Sequence, residues 1–598
     1  MKISTLLGGA LVASASTAAA IAVPDIHAKR QSQFLLTTGV QNNGIQTRVE
    51  LRTMRTQNPD QFNLYMLALR EFMSVTQTDP LSYYQIAGIH GRPYSAWGGW
   101  TSQAGPGGYG GGYCTHVSNI FLPWHRPYLA LYEQQLYSHV QNVANSFPAA
   151  SRARWQAAAA NFRMPYWDWA VVPTCQGCQV FPEFVSSAYI SVTSPTGQQT
   201  VVNPLYRYDF HPIVPSDMAY NPFASWVTTL RYPTSWQSNA VSQDPGVTSQ
   251  IASNQPNFKQ RLYNLFTNYN NFNQFSNEAW IANSGVQGAD SLESLHDSLH
   301  TITGSNGHMT YLDYSSFDPI FWLHHTNIDR IWAMWSTINP NTYVQQANAQ
   351  KPTYTYPAGT SLDATSGLAP FNKNTQGLLY TSNDVSSTTS FGYVYPETAN
   401  GASAASVRAA VNSLYGSGVP TGRRLKRDSD ASDWHYIANI VSQKTQLNGS
   451  YAVYVFLGEP DADALTWPTA ANLVGTHGVA ANFADADNDQ LAAMDVPVTG
   501  TVPLTTALQD KVAAGELADT GVQSVSAYLL QRLVWKVAKY DGTVVPAANV
   551  PDLSVSVVAA EVMPAASPDD FPTWSPYVSL ANVTAGQDGG HDDAWWGM

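Results

Sequence analysis

His116-Val-Ser-Asn-Ile-Phe121-Leu-Pro-Trp124-His125-Arg126-Pro-Tyr-Leu129-Ala-Leu-Tyr-Glu133 is the stretch on which the reading of this chain turns. From Phe121 to Tyr137 apolar residues recur at helical spacing, and Pro123 is tolerable in a first turn. His125 therefore falls near a helix start on an inward face. His90 lies upstream. A second cluster lies downstream, first as Glu293-Ser-Leu-His296-Asp297-Ser-Leu-His300 and then as Asp318-Pro319-Ile-Phe321-Trp322-Leu-His324-His325-Thr-Asn-Ile-Asp329. Imidazole nitrogen is a natural ligand for copper and zinc. Three histidines per cluster, twice over, suggest two metal ions side by side.

Spacing supports that reading. His296 and His300 stand one helical turn apart and can chelate one ion, and Leu292, Leu295 and Leu299 give the same helix a core-facing stripe. Asp318-Pro319 reads as a helix entry, with Asp as the cap and Pro in the first turn. His325 then sits inside that helix, with Asp329 one turn later on the same face, where it could orient the ring. His324 and His325 differ by about 100° around a helix and cannot both face one metal. Structural zinc sites usually include cysteine and close with four ligands. Histidine triplets without thiolates leave coordination positions open. His308 lies in a loop between the halves of the second cluster, where an outer role is open to it. His27, His139, His211, His435, His477 and His591 read as ordinary core or surface residues.

The stretches His116–Glu133 and Asp318–Asp329 resemble the two copper signatures of the tyrosinases and catechol oxidases, the secreted fungal branch in particular. The resemblance implies a mainly α core domain, with a four-helix bundle holding a binuclear type 3 copper site. It implies two copper ions per chain, dioxygen as co-substrate, and oxidation of phenols and catechols to quinones. It assigns the ligands as His90, His116, His125 and His296, His300, His325, taking the second of the adjacent pair. It also implies a water-holding glutamate just before the first histidine of the second copper, and Glu293 occupies that place. Monophenol-active members often carry Asn directly after that histidine. Here it is Asp297, which adds negative charge near a phenolate and puts efficient monophenol hydroxylation in doubt. A hemocyanin-like oxygen carrier uses the same copper pair without turnover, and oxidation of a catechol separates the two.

The 598 residues suffice for two or three domains. Net charge is −13, from 29 basic and 42 acidic residues, with no basic patch to invite nucleic acid. Lys2, the apolar run from Leu6 to Ala13 and the small residues through Ala20 read as a secretory signal peptide over 1–20. A short propeptide over 21–30 would end at the dibasic Lys29-Arg30. No other apolar stretch is long enough for a membrane anchor. Asn448-Gly-Ser450 and Asn582-Val-Thr584 are glycosylation sequons.

Three cysteines are an odd count for a secreted chain. Cys175-Gln-Gly-Cys178 reads first as a local disulfide, with metal or redox chemistry as the alternative. Cys114 stands two residues before His116. In fungal relatives such a Cys-x-His carries a thioether to the histidine ring, which would account for the unpaired thiol; a buried free thiol is the alternative.

Residues 31–396 read as one α-rich catalytic domain. Helical patterns cover Pro59–Val75, Phe121–Asn145, Ser151–Ala159, Pro256–Thr267, Ser291–Thr303 and Pro319–Thr337. Tyr393-Val-Tyr395 resembles the motif that closes this domain in the family. Residues 397–431 read as a linker with a dibasic cleavage site at Lys426-Arg427, open to an activating protease. Residues 432–586 read as a β-sandwich, with strand signals over Tyr451–Leu457, Ser524–Ala538 and Leu553–Val558 and a turn at Tyr540-Asp-Gly-Thr. Residues 587–598 read as a disordered tail. The second domain resembles the cap that covers the copper site of fungal pro-tyrosinases until proteolysis. Such a cap places a side chain near the substrate position, often an aromatic one, and Phe483 is the candidate; packing within the sandwich is the alternative.

Overall fold

A computed structural model describes residues 34–174, 178–280, 289–416, 433–483 and 494–591. The expected signal peptide, propeptide and Lys426-Arg427 site fall outside those residues.

The helical domain is organised around α1 (Pro59–Met73), α2 (Phe121–Ser146), α3 (Ala149–Ala160), α4 (Asp244–Asn268), α5 (Leu292–Gly304) and α6 (Ile320–Ile338). Helix α2 packs on α6, α6 on α5, and α5 on α4, which makes the four-helix bundle. Its interior is aromatic. Tyr132 stacks on Trp322 at 3.7 Å between ring centroids, and Trp124, Tyr128, Phe321 and Phe371 continue the same core. Every residue of α5 is buried, because α4 and α6 lie against it on one side and the second domain on the other.

Helix α4 begins at Asp244, a full three turns before the expected start at Pro256. Pro256 lies inside it rather than opening it. The true start has its own proline, Pro245, in the first turn, where a missing N–H costs nothing.

Two expected boundaries are corrected. Residues 404–415, assigned to the linker, form α7 (Ala404–Tyr415), whose Val407, Val411 and Tyr415 are buried against the helical domain. Alanine and serine between these anchors disguised a stripe of three residues at four-residue spacing. Residues 587–591 of the expected tail are ordered. Gly589 O accepts from Val555 N, His591 N donates to Val555 O, and His591 is buried.

The second domain is a β-sandwich. Its strands are β1 (Asp433–Gln443), β2 (Tyr451–Leu457), β3 (Leu473–Val479), β4 (Pro497–Pro503), β5 (Leu533–Lys539), β6 (Val544–Val545), β7 (Ser554–Met563), β8 (Thr573–Trp574) and β9 (Val578–Ser579). One sheet runs β3-β2-β5-β6. The other runs β4-β1-β7-β8, with β9 also on β7, and every pairing in both is antiparallel. The expected strand over Ser524–Ala538 divides into helix α9 (Val522–Arg532), which follows α8 (Thr505–Ala513), and then β5. Val525 and Leu529 bury one face of α9, a four-residue period that outweighs the local β-branched content.

Strand β3 lies along α5. Gly478 N donates to Ser298 Oγ at 3.1 Å, and a Cβ at Gly478 would stand 2.1 Å from Thr301 Oγ1. Only glycine permits that approach. Val117 and Ala279, from the helical domain, are buried in the apolar cluster of the sandwich.

Candidate metal centre

Six histidines from five segments meet inside the bundle. His90 follows a short helical turn (Tyr83–Ala87), His116 lies on an irregular loop, His125 on α2, His296 and His300 on α5, and His325 on α6. All six are buried. In the second group His325 Nε2 lies 3.2 Å from His296 Nε2 and 3.0 Å from His300 Nε2. His90, His116 and His125, with Cys114, form the first group, their ligand atoms within 4.8 Å of one another. The groups face each other: His125 stacks on His325 at 4.5 Å between centroids, and His116 lies 6.0 Å from His296. Phe121 and Phe321 wall the space, Phe321 reaching 4.0 Å from the His325 ring.

Hydrogen bonds fix which nitrogen is free. His90 Nδ1 bonds Leu312 O, His125 Nδ1 bonds Phe121 O, His300 Nδ1 bonds Met309 O, and His296 Nδ1 bonds Asp297 Oδ1 at 3.0 Å. A proton on each Nδ1 leaves Nε2 with its lone pair. Burial drives His90, His116, His296, His300 and His325 well below the ordinary histidine range and His125 to about 4, so the rings are neutral at neutral pH. His325 Nδ1 has no partner, so three neutral rings converging at 3.0–3.2 Å through His325 Nε2 are held together either by a proton on that nitrogen or by a cation between the three. His90 Nε2 is buried without a partner. These observations fit a pair of nitrogen-bound metal ions.

His324 also lies in the second group, stacked on His296 at 5.2 Å, with neither ring nitrogen hydrogen-bonded. His308 stands apart: its Nδ1 accepts from Leu230 N. Asp329 does not orient His325, as its helix position suggested. It pairs with Arg126 and Arg48 and accepts from the hydroxyls of Tyr393 and Tyr395. Two arginines outcompete a neutral ring for a buried carboxylate. Asp318 accepts from Ile320 N, as a helix entry should, and also binds Arg231.

Glu293 is buried beside the first group. Its carboxylate accepts from Val117 N at 2.6 Å and from Glu278 N at 3.3 Å. Val117 sits at φ 54°, unusual for a β-branched residue, and this turn points its amide at Glu293 while His116 faces the site. Burial, and then the charge of Glu278, push the Glu293 carboxyl well above the usual carboxylate range. Cys114 Sγ lies 3.7 Å from His116 Nε2 and 3.3 Å from His125 Nε2. Cys178 is disulfide-bonded, and Cys175, its expected partner, lies outside the described residues.

Phe483 is not among the imidazoles. Its ring stacks on Tyr311 at 4.3 Å and touches Tyr220, Phe223 and Trp236. Four aromatic faces in the helical domain offered it a better pocket than the metal site. Its neighbour Asn482 lines the cavity beside His90, Cys114 and His116, with Lys351 donating to Asn482 Oδ1.

Two residues escaped the sequence reading altogether. Lys444, just past β1, sends its ammonium out of the sandwich to Asp297 Oδ2 and Glu278 Oε1. All three side chains are buried. Burial opposes its charge, but Asp297 and Glu278 hold Lys444 above the usual lysine value, so it stays protonated. Asp297 thus bridges a cap-domain cation and His296. Lys444 and Asp297 lie far apart in sequence, and no spacing rule connects them.

A helical core offering two facing sets of three imidazoles, covered by a β-sandwich, defines a binuclear metal oxidase with its cap in place. Comparison gives the family. The common central domain of tyrosinase matches residues 80–338, and the tyrosinase C-terminal domain matches 435–557. A tyrosinase of Neurospora crassa is 33% identical, the match covering 92% of this chain and 96% of the relative. A tyrosinase of Podospora anserina is 34% identical over 79% of this chain and 94% of its own. A crystal structure of a mushroom tyrosinase, with latent and active forms together, superposes with a TM-score of 0.77 at 26% identity, covering 91% of this chain and 98% of that one. An apo-pro-tyrosinase from Aspergillus oryzae shares the fold at 22% identity and a TM-score of 0.72, covering 93% and 98%. The chain belongs to the tyrosinase family: it is a copper-dependent oxidoreductase that uses two copper ions and dioxygen to oxidise phenols, built in the two-domain latent form.

Proposed function

We propose that His90, His116 and His125 hold one copper ion and His296, His300 and His325 the other. On this reading the enzyme oxidises o-diphenols readily and hydroxylates monophenols more slowly. The observation that carries it is the convergence of buried, neutral Nε2 atoms in two facing groups. Bound copper supplies dioxygen activation and the electron acceptance that turns a diphenol into a quinone.

The chain's own residues do the rest. The Nδ1 bonds hold the imidazoles in the tautomer a ligand needs. Phe121 and Phe321 shape an apolar slot that suits a phenol ring and excludes water. A monophenol must lose a proton with a pKa of about 10 before it can bind as phenolate. Glu293, buried and steered by the Val117 amide, is placed to hold the water that takes this proton. Asp297 fixes His296 and adds negative charge where the phenolate arrives, which favours the diphenol.

Cys114 carries a thioether to His116 on this reading, which would lock one ligand ring; the nearness of Sγ to that ring supports it. The chain is secreted, loses residues 1–20 and 21–30, and is activated by a protease at Lys426-Arg427, which frees the face of α5 that β3 covers. The decisive measurement is the initial rate with a monophenol and its matching diphenol before and after cutting at the linker, with copper counted in both. A strong rise in diphenol turnover at constant copper content is expected. An uncut chain already as active as the cut one would leave the sandwich a passive partner.

A further inference from the structure

At Asn482-Phe483 the sandwich meets the helical domain as a bound peptide meets a receptor. The Asn482 carboxamide is held at both ends. Lys351 Nζ donates to its oxygen at 2.6 Å, and its nitrogen donates to Asp313 Oδ1 at 2.7 Å. The other oxygen of Asp313 accepts from Phe483 N at 3.2 Å. The Phe483 ring stacks on Tyr311 at 4.3 Å, with Tyr220, Phe223 and Trp236 around it. It packs with the core cluster of the helical domain, not with that of the sandwich. The receiving residues all belong to the helical domain, and helical-domain contacts hold them. Tyr94 donates its hydroxyl to Asp313 Oδ1, and Arg92 N donates to Asp313 O. Phe223 stacks on Tyr314 at 4.0 Å, and the Tyr311 hydroxyl donates to Asn306 Oδ1 at 2.7 Å. The seat is built by one domain, and the other supplies its occupant.

The chemistry of the seat is selective. A carboxamide accepts from an ammonium at one end and donates to a carboxylate at the other. Aspartate in its place would set a second carboxylate against Asp313. The aromatic walls reward a ring over an aliphatic side chain, and a ring buried in a pocket is the usual anchor of a peptide contact. We propose that the helical domain carries a receptor site for an Asn-Phe peptide segment, filled in cis by Asn482-Phe483 in the latent chain and open to such a segment in trans once the sandwich has left. This rests on the proteolytic release proposed above. The released sandwich still bears its own Asn-Phe and is the first such segment the processed enzyme meets. Asn482 also lines the cavity beside His90, Cys114 and His116, so a segment bound in the seat narrows that cavity.

The test titrates the copper-loaded chain, cut after Arg427, with acetyl-Ala-Ala-Asn-Phe-amide, which copies residues 480–483 and has no phenol to oxidise. Calorimetry should show one peptide bound per chain. Asp in place of Asn, or Ala in place of Phe, should each weaken binding about tenfold, the range of a lost charge-assisted hydrogen bond or ring anchor. Asp313→Asn should bring the Asn and Asp peptides together. Turnover of 4-methylcatechol by the same preparation reports on the oxidase reading alone. No binding of the parent peptide, equal binding of the Asn and Asp peptides, or a preference that survives Asp313→Asn would overturn the proposal. If Asp313→Asn does not fold, the peptide series on the wild-type cut chain decides. If the sandwich stays bound after the cut, the release reading fails and the uncut Phe483→Ala chain decides: toluene should raise its thermal midpoint and leave that of the wild type unchanged. No shift in that variant overturns the site.

Discussion

The two histidine groups are built from the same ligand and held by different means. In the first, His90 and His125 bond main-chain carbonyls of Leu312 and Phe121, and His116 lies on a loop beside Cys114. Neutral backbone dipoles set its geometry. In the second, His296 bonds a carboxylate, and that carboxylate bonds the cap's Lys444. The ring bonds of the first group thus stay within the helical domain, although the sandwich reaches it by packing, at Val117 and Asn482. The second is wired to the sandwich. The sandwich therefore meets one histidine group through charge as well as through packing.

The largest effect tests that both groups are metal sites at all. His125→Ala and His296→Ala should each abolish catechol oxidation and lower copper content. Full activity with one ion per chain, or with zinc alone, would break the comparison outright. Next is Lys444→Met in the uncut chain. Removing one partner of a buried ion pair costs about 3–5 kcal/mol, so the denaturant midpoint should drop and partial oxidase activity should appear without cleavage. The matching change beside the first group, Lys351→Met, should leave the chain latent, because Lys351 reaches only the neutral Asn482 through its hydrogen bond. Equal activation by both would show that the cap acts on both groups alike. Asp297→Asn should raise the monophenol rate relative to the diphenol rate by several-fold, since it removes charge and keeps a hydrogen-bonding oxygen. An unchanged ratio in that variant and in Glu293→Gln takes both residues out of the mechanism. The smallest effect concerns Cys114. The intact mass of the copper-loaded mature protein should be lower by one pair of hydrogens beyond the disulfide. A Cys114 that alkylates freely after unfolding would leave the first group with no covalent restraint.

Local pattern made the metal centre legible and left the domain interface hidden. His296 and His300 announce themselves because helix geometry brings a four-residue repeat to one face. His325 was separated from His324 only by adding the family resemblance to that geometry. The Tyr393-Val-Tyr395 motif was also readable, although the helical domain continues past it to α7 and its partner Asp329 was assigned to the wrong neighbour. Lys444, Glu278 and the seat of Phe483 depend on two domains meeting face to face, and a sequence records no angle of approach. The two missed helices, α7 and α9, were masked by composition: small residues in one, β-branched and aromatic residues in the other. In both a narrow buried stripe decided the outcome over propensity.

Tyr393 and Tyr395 fasten the late part of the helical domain to Asp329, Arg48 and Arg126. Twenty residues on, Tyr415 fastens α7 to Asp168 and Arg330. The chain is riveted twice just ahead of the basic run. If the chain is cut beyond the second rivet, α7 gives up its bonds to Pro568, Asp569 and Asp570 of the sandwich and stays hemmed to the bundle through Asp168 and Arg330.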